Sequence, residues 1–364
     1  MIRDFGRYVI FGLSLGNEGI HGASDQNAIY TQWRDNMQKL IKMVRADGKI
    51  PVVMNNYTRG DYNASDYSYV KKLNLLIHEW DVPSFNCLGS IDKGDGTWAD
   101  GYVSDTYHQN TEGHYEFFCS MVPSLFDALR AGKALPKRIT TKSMKLTEEK
   151  TVHFTPEGTT HPFTVTARVK GGQGQVLRVR CSVGDVTVNI TSEGYVQLTT
   201  PSGGTLTSTK AITDTNWHNI TLTSYYAQKR TILYLDKVSA GVLDERLGEV
   251  QEVVLGGSSR DVSELLFWRS AMTPDEITAH CNGKMLKSSL EIYVPMDNEG
   301  ELENHAQSTN TVRMVVDENV VGLNRLSGSG PTPGSTAVYN IAGQSLARAQ
   351  RGVNIIGGKK IAIK

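Results

Sequence analysis

The hydrophobic period changes near residue 140, and this change constrains the fold more than any other feature of the chain. Before it, short apolar runs alternate with stretches whose apolar residues recur every three or four positions. After it, apolar and polar residues alternate with a period of two. The first pattern builds a mostly parallel sheet covered by helices, the second an antiparallel sandwich. A chain of 364 residues is long enough to bury a core for each.

Residues 1–135 read as α/β. Tyr8-Val9-Ile10-Phe11-Gly12-Leu13 suits a buried parallel strand, Ile50–Met54 a second and Val82–Asn86 a third. Trp33, Met37, Leu40, Ile41 and Val44 mark one helical face, which Gly48 closes. Tyr69, Leu73, Leu76, Ile77 and Trp80 mark another, and Phe117 to Leu129 predict a single closing helix. From 140 to 298, strand candidates at 163–169, 186–190, 195–198, 218–222 and 231–235 lie between Gly-, Ser- and Asp-containing turns. One helix interrupts them, because Thr273-Pro274-Asp275-Glu276 is a capping box with proline at the first helical position. Residues 299–335 lose periodicity and read as a linker, with Ser327–Ser335 built from Gly, Ser, Pro and Thr. Residues 336–364 read as two or three strands, too few for a core of their own.

Charge excludes some partners. The 38 basic residues balance 38 acidic ones, so nothing points to nucleic acid or an anionic membrane surface. No apolar run approaches the roughly 18 residues of a membrane span. The first residues, Met1 to Arg7, lack the basic and apolar regions of a signal peptide. Cys87, Cys119, Cys181 and Cys281 are far apart, show no metal spacing and read as reduced thiols. No cofactor or metal is assigned.

Chemistry concentrates in two short stretches. Asp105-Thr106-Tyr107-His108 sets a carboxylate three residues from an imidazole, and a carboxylate fixes the tautomer of a histidine base. Alone, the same residues read as a helix-entry cap beside a surface histidine. Leu15-Gly16-Asn17-Glu18 follows the first strand, at the sheet edge where ligands gather. Asn17 there either shapes a turn or donates to a developing oxyanion, a contribution of roughly 3–4 kcal/mol where measured elsewhere.

Together these residues resemble the SGNH (GDSL-type) hydrolases, over about residues 6–130. The resemblance implies an incomplete flavodoxin-like domain and serine acyl-ester hydrolysis. Asn17 would be the oxyanion donor, His108 the general base and Asp105 its orienting carboxylate. The pattern departs in places: the glycine falls one place late, and Gln109 stands where proline often follows the histidine. The Gly-Asp-Ser block of the family has no counterpart before Asn17. The expectation is an N-terminally shortened, inactive hydrolase with an unpaired sheet edge. Ser14 lies too near Asn17 along the backbone for both to serve one carbonyl carbon.

Asn216-Trp217-His218-Asn219-Ile220-Thr221-Leu222, Lys229–Asp236, Glu264–Arg269 and Thr273–Ile277 resemble the laminin-G/concanavalin-A-like jelly roll. That resemblance implies a glycan-binding or spacer domain, sometimes holding calcium, although no calcium-loop motif appears. Trp217 and Trp268 are candidates for sugar platforms or for core, and the bulk of aromatics in sandwich cores favours core for both. The last 30 or so residues resemble Bacteroidetes C-terminal sorting tails, which implies a secreted or cell-surface protein. The combined expectation is an ester hydrolase acting on acylated polysaccharide. The alternative is a non-catalytic glycan-binding or adhesion protein.

Overall fold

The computed structural model describes residues 6–139, 142–297, 302–317, 338–340, 344–356 and 359–363. They fall into two compact units, Met1–Val316 and Asp317–Lys364.

The first unit opens with a three-stranded parallel sheet in the order β1 (Tyr8–Phe11), β2 (Ile50–Met54), β3 (Ser84–Phe85). Tyr8 pairs with Ile50, and Val53 with Ser84. Helix α1 (Gln26–Ala46) starts at Asp25, whose side chain accepts from the Ala28 N–H at 2.9 Å. Its Trp33, Met37, Ile41 and Val44 are buried in a cluster with Phe11, Val53 and Leu73. Asn63 and Asp66 form a capping box at the start of α2 (Ala64–Glu79). After the short α3 (Leu88–Ile91), the expected closing helix is two, α4 (Thr111–Cys119) and α5 (Leu125–Arg130). Pro123 lies in the break, and its missing N–H and fixed φ oppose a continuous helix.

The rest of the unit is a jelly-roll-like sandwich, with one helix, α6 (Pro274–Cys281), where the capping box predicts it. Its strands are β4 (Met144–Leu146), β5 (Lys150–Phe154), β6 (Phe163–Lys170), β7 (Gly174–Cys181), β8 (Gly184–Ile190), β9 (Tyr195–Thr199) and β10 (Thr205–Ala211). They continue as β11 (His218–Tyr225), β12 (Arg230–Leu235), β13 (Val238–Leu243), β14 (Val250–Leu255), β15 (Arg260–Trp268), β16 (Leu290–Val294) and β17 (Arg313–Val316). One sheet runs β10-β9-β8-β7-β14-β5-β17, the other β13-β12-β11-β6-β15-β16 with β4 beside β15. Period two places Val165, Val179, Val188, Leu222, Leu265 and Phe267 in one buried cluster between them.

The linker expectation for 299–335 is corrected at its start. Arg313–Val316 pair with β5, Arg313 opposite His153 and Val316 opposite Lys150. Asn304 anchors the irregular approach: it accepts from the Tyr293 N–H at 3.0 Å and donates to the Glu291 carbonyl at 2.9 Å. Anchoring by a side-chain amide leaves no hydrophobic period to read. The Ser327–Ser335 stretch lies outside the described residues.

The parallel sheet and the sandwich share a buried polar seam. The Ser289 N–H donates to the Ser84 carbonyl at 3.0 Å, and the Asn86 N–H to Ser289 Oγ at 2.7 Å. This seam covers the β3 edge. The fully buried Glu276 of α6 pairs with His78 Nε2 at 2.8 Å and accepts from Asn86 Nδ2 at 2.7 Å. At the opposite edge, no described strand pairs with the outer side of β1, and Ile10 is 48% exposed. Cys87, Cys119 and Cys181 are buried free thiols, and Cys281 is partly exposed. No described helix is long and apolar enough to cross a membrane.

The second unit has four short antiparallel strands where two or three are expected: β18 (Val338–Asn340), β19 (Ser345–Leu346), β20 (Gly352–Ile356) and β21 (Lys359–Ile363). Their order is β19-β18-β20-β21.

Candidate functional site

Asn17 and His108, 91 positions apart in the sequence, line one cleft of ≈ 380 Å³ together with Ser14, Tyr57, Arg59 and Tyr107. The cleft opens where β1 and β2 end, at the carboxyl edge of the parallel sheet. Asn17 occupies a tight turn, its N–H donating to the Ser14 carbonyl at 3.1 Å. Its exposed side chain has no hydrogen-bond partner among the described residues. The turn is held from below by Asn56, which accepts from the Leu15 N–H and donates to the Leu13 carbonyl at 3.2 Å. A Cβ at Gly16 would collide with the Arg59 side chain and the Tyr62 hydroxyl, so a larger residue here would have to push Arg59 aside.

His108 Nδ1 lies 3.0 Å from both oxygens of Asp105. Asp105 Oδ1 also accepts from the N–H groups of Tyr107 at 2.7 Å and His108 at 2.9 Å. The hydrogen bond to His108 leads these contacts in holding the Asp105 carboxyl below its usual range. A proton on Nδ1 shared with Asp105 leaves Nε2 free to accept one, the tautomer that a general base needs. The pair is open to water, with side chains 71% and 55% exposed. His108 Nε2 has no hydroxyl or thiol partner among the described residues. Ser14 is nearly buried, and its Oγ accepts from the Gly16 N–H at 3.1 Å.

Two cleft residues escape motif reading. Tyr57 and Arg59 follow β2 directly, so its carboxyl end was the available signal. Arg59 forks onto Asp61, with bonds of 3.1 and 2.8 Å, and its guanidinium carbon lies 4.6 Å from the centre of the Tyr107 ring.

The sandwich carries a second cleft, of ≈ 640 Å³, among Arg168, Trp217, the Asp236-Lys237 turn and the end of α6. Arg168 lies on the face of β6 turned away from the core, and its guanidinium carbon is 5.1 Å from the Trp217 ring centre. Trp217 is only half-buried, which corrects its expected place in the core. Trp268 does lie in the core, fully buried with its indole N–H donating to the Leu286 carbonyl at 2.8 Å. His218 sits between two carboxylates, each at 2.9 Å: Asp236 on Nδ1 and Asp214 on Nε2. Burial opposes its charge, but the bonds to Asp236 and Asp214 outweigh that and raise its pKa above 6.5.

No protein-family model matches this chain. No curated protein matches it either. Among solved structures, a native heptameric SAP-like pentraxin from Limulus polyphemus is similar at 14% identity and a TM-score of 0.34, over 50% of this chain and 93% of the pentraxin. Domains LG4-5 of the mouse laminin alpha1 chain align at 11% identity and a TM-score of 0.31, over 39% of this chain and 45% of theirs. The CBM40 of the Ruminococcus gnavus IT-sialidase aligns at 15% identity and a TM-score of 0.31, over 39% of this chain and 97% of the module.

Proposed function

We propose that this chain binds carbohydrate without turning it over, and that its α/β cleft keeps the acid–base and oxyanion groups of an ester hydrolase without a nucleophile. One observation carries the first half: the cleft on the sandwich is lined by the half-buried Trp217 beside the planar polar groups of Arg168 and Asn219. Aromatic faces take the C–H faces of sugar rings, and forked polar groups take their hydroxyls. The second half is supported by the free Nε2 of His108, which has no serine or cysteine partner among the described residues. Without a nucleophile, a serine hydrolase loses about 10⁶ in turnover. The test pairs a glycan array with hydrolysis of p-nitrophenyl acetate and acetylated xylan. Glycan binding with hydrolysis no faster than in the His108→Ala variant is expected. His108-dependent hydrolysis would overturn the reading.

A second reading, an SGNH-type acyl-ester hydrolase on a flavodoxin-like sheet, is favoured by the meeting of Ser14, Asn17 and His108 in one cleft. Deacetylation of polysaccharide lost in both Ser14→Ala and His108→Ala would put it first. The resemblance of the last residues to sorting tails supports a secreted or cell-surface location. Recovery of the protein only from the cytoplasmic fraction of its host would contradict that.

A further inference from the structure

We infer that the cleft on the sandwich takes an anionic sugar, with Arg168 and Lys237 binding its acidic group and Asn219 a hydroxyl. This rests on the carbohydrate reading above and adds the charge of the ligand and the residues that read it.

Several polar groups around the cleft are already satisfied. Arg138 also lines it, but its guanidinium is committed to Glu264, with bonds of 2.9 and 2.7 Å, and to the His280 carbonyl at 2.6 Å. Asp236 is likewise committed: Oδ1 accepts from the Asn219 N–H at 2.8 Å, and Oδ2 faces His218 Nδ1 at 2.9 Å. His218 spends its second nitrogen on Asp214.

Two cations remain. Arg168 makes one side-chain hydrogen bond, Nη1 to Ser263 Oγ at 3.2 Å, and meets no carboxylate among the described residues. The Trp217 ring holds it at the cleft. Lys237 is exposed and has no ion pair among the described residues. Asp236 adopts φ 54° in the turn that carries Lys237 between β12 and β13, which sets that lysine at the rim. The free charge of the cleft is therefore positive.

Asn219 supplies the independent observation. It lines the cleft and is only 8% exposed, yet its Oδ1 has no hydrogen-bond partner among the described residues. A buried acceptor without a partner is unfavourable, and a donor from a ligand relieves that cost. An anion alone carries no such donor. A sugar bearing a carboxylate or sulfate supplies both the hydroxyl and the charge, and its ring face suits the indole of Trp217.

The test is a glycan array of matched pairs: uronate oligosaccharides with their methyl esters, and sulfated oligosaccharides with their desulfated forms. Each is probed with the intact chain, Arg168→Gln and Lys237→Gln, and a melting curve checks that each variant is folded. Lys237 is exposed, so its replacement leaves the fold in place. The acidic member of at least one pair should bind tenfold or more tighter than its neutral partner, with the difference shrinking in both variants and at high salt. Whether uronate or sulfate shows it identifies the anion. Equal binding of charged and neutral partners would overturn the inference and leave the carbohydrate reading standing. So would acidic binding that both folded variants retain. Absence of binding to every saccharide would overturn both.

Discussion

Two histidine–carboxylate pairs of this protein share nearly the same distance and differ in solvent. His108 and Asp105 face water at 3.0 Å, whereas His78 and Glu276 meet at 2.8 Å with no exposed side-chain surface. Water screens the first pair, so it is available for chemistry or binding and contributes little to the fold. His108→Ala should leave the melting temperature unchanged by calorimetry, and a marked drop would contradict that. His218 predicts a pH dependence. Its folded pKa is raised, so its contribution to stability is complete below about pH 6.5 and declines as pH rises through the folded value. Denaturant midpoints of wild type and His218→Gln, compared from pH 5.5 to 9, should converge toward alkaline pH; a constant gap would contradict this. At this scale the sequence singled out Asn17 and His108, which line one cleft, because each belongs to a short local pattern. It did not reveal Arg59 or Tyr107 as neighbours, since their contact is a stacking that no spacing rule encodes.

At the scale of elements, α6 shows how far local signals reach. Thr273 and Glu276 form the reciprocal cap that their spacing announces, with Thr273 N–H donating to Glu276 Oε2 at 2.8 Å. Thr273→Ala should cost about 1 kcal/mol, read from urea unfolding. The same Glu276 also holds His78 and Asn86 from the other half of the unit, 198 and 190 positions away, and no local pattern encodes that. Glu276→Ala should therefore cost about 3–5 kcal/mol, because it leaves buried partners uncompensated. A loss no larger than that of Thr273→Ala would show that the seam contributes little. Burial works against the Glu276 charge, yet the hydrogen bond and charge of His78, joined by the bonds from Thr273 and Asn74, together outweigh it and keep its pKa below 4.5. Its contribution is thus present above about pH 4.5 and lost as pH falls through the folded value. The closing helix of the α/β half shows the converse limit. Its apolar spacing runs through Pro123, and the proline decides where it breaks.

At the scale of the whole molecule, the change of period at residue 140 separates two architectures that nonetheless pack as one unit. The pattern of apolar residues reports which core each segment joins, so both architectures were legible. The polar seam was not, because serine, asparagine and glutamate side chains join distant segments without periodicity. Calorimetry of the intact chain should show residues 1–316 melting in one transition, with equal calorimetric and van't Hoff enthalpies. Two separated transitions from the parallel sheet and the sandwich would show that the seam does not couple them. The measurement that bears most directly on function is a paired assay on one preparation of the intact chain. It reads binding to a glycan array and release of acetate from the glycans bound. Saturable binding is expected, with no acetate release above that of the His108→Ala variant. Acetate release that depends on His108 would contradict it.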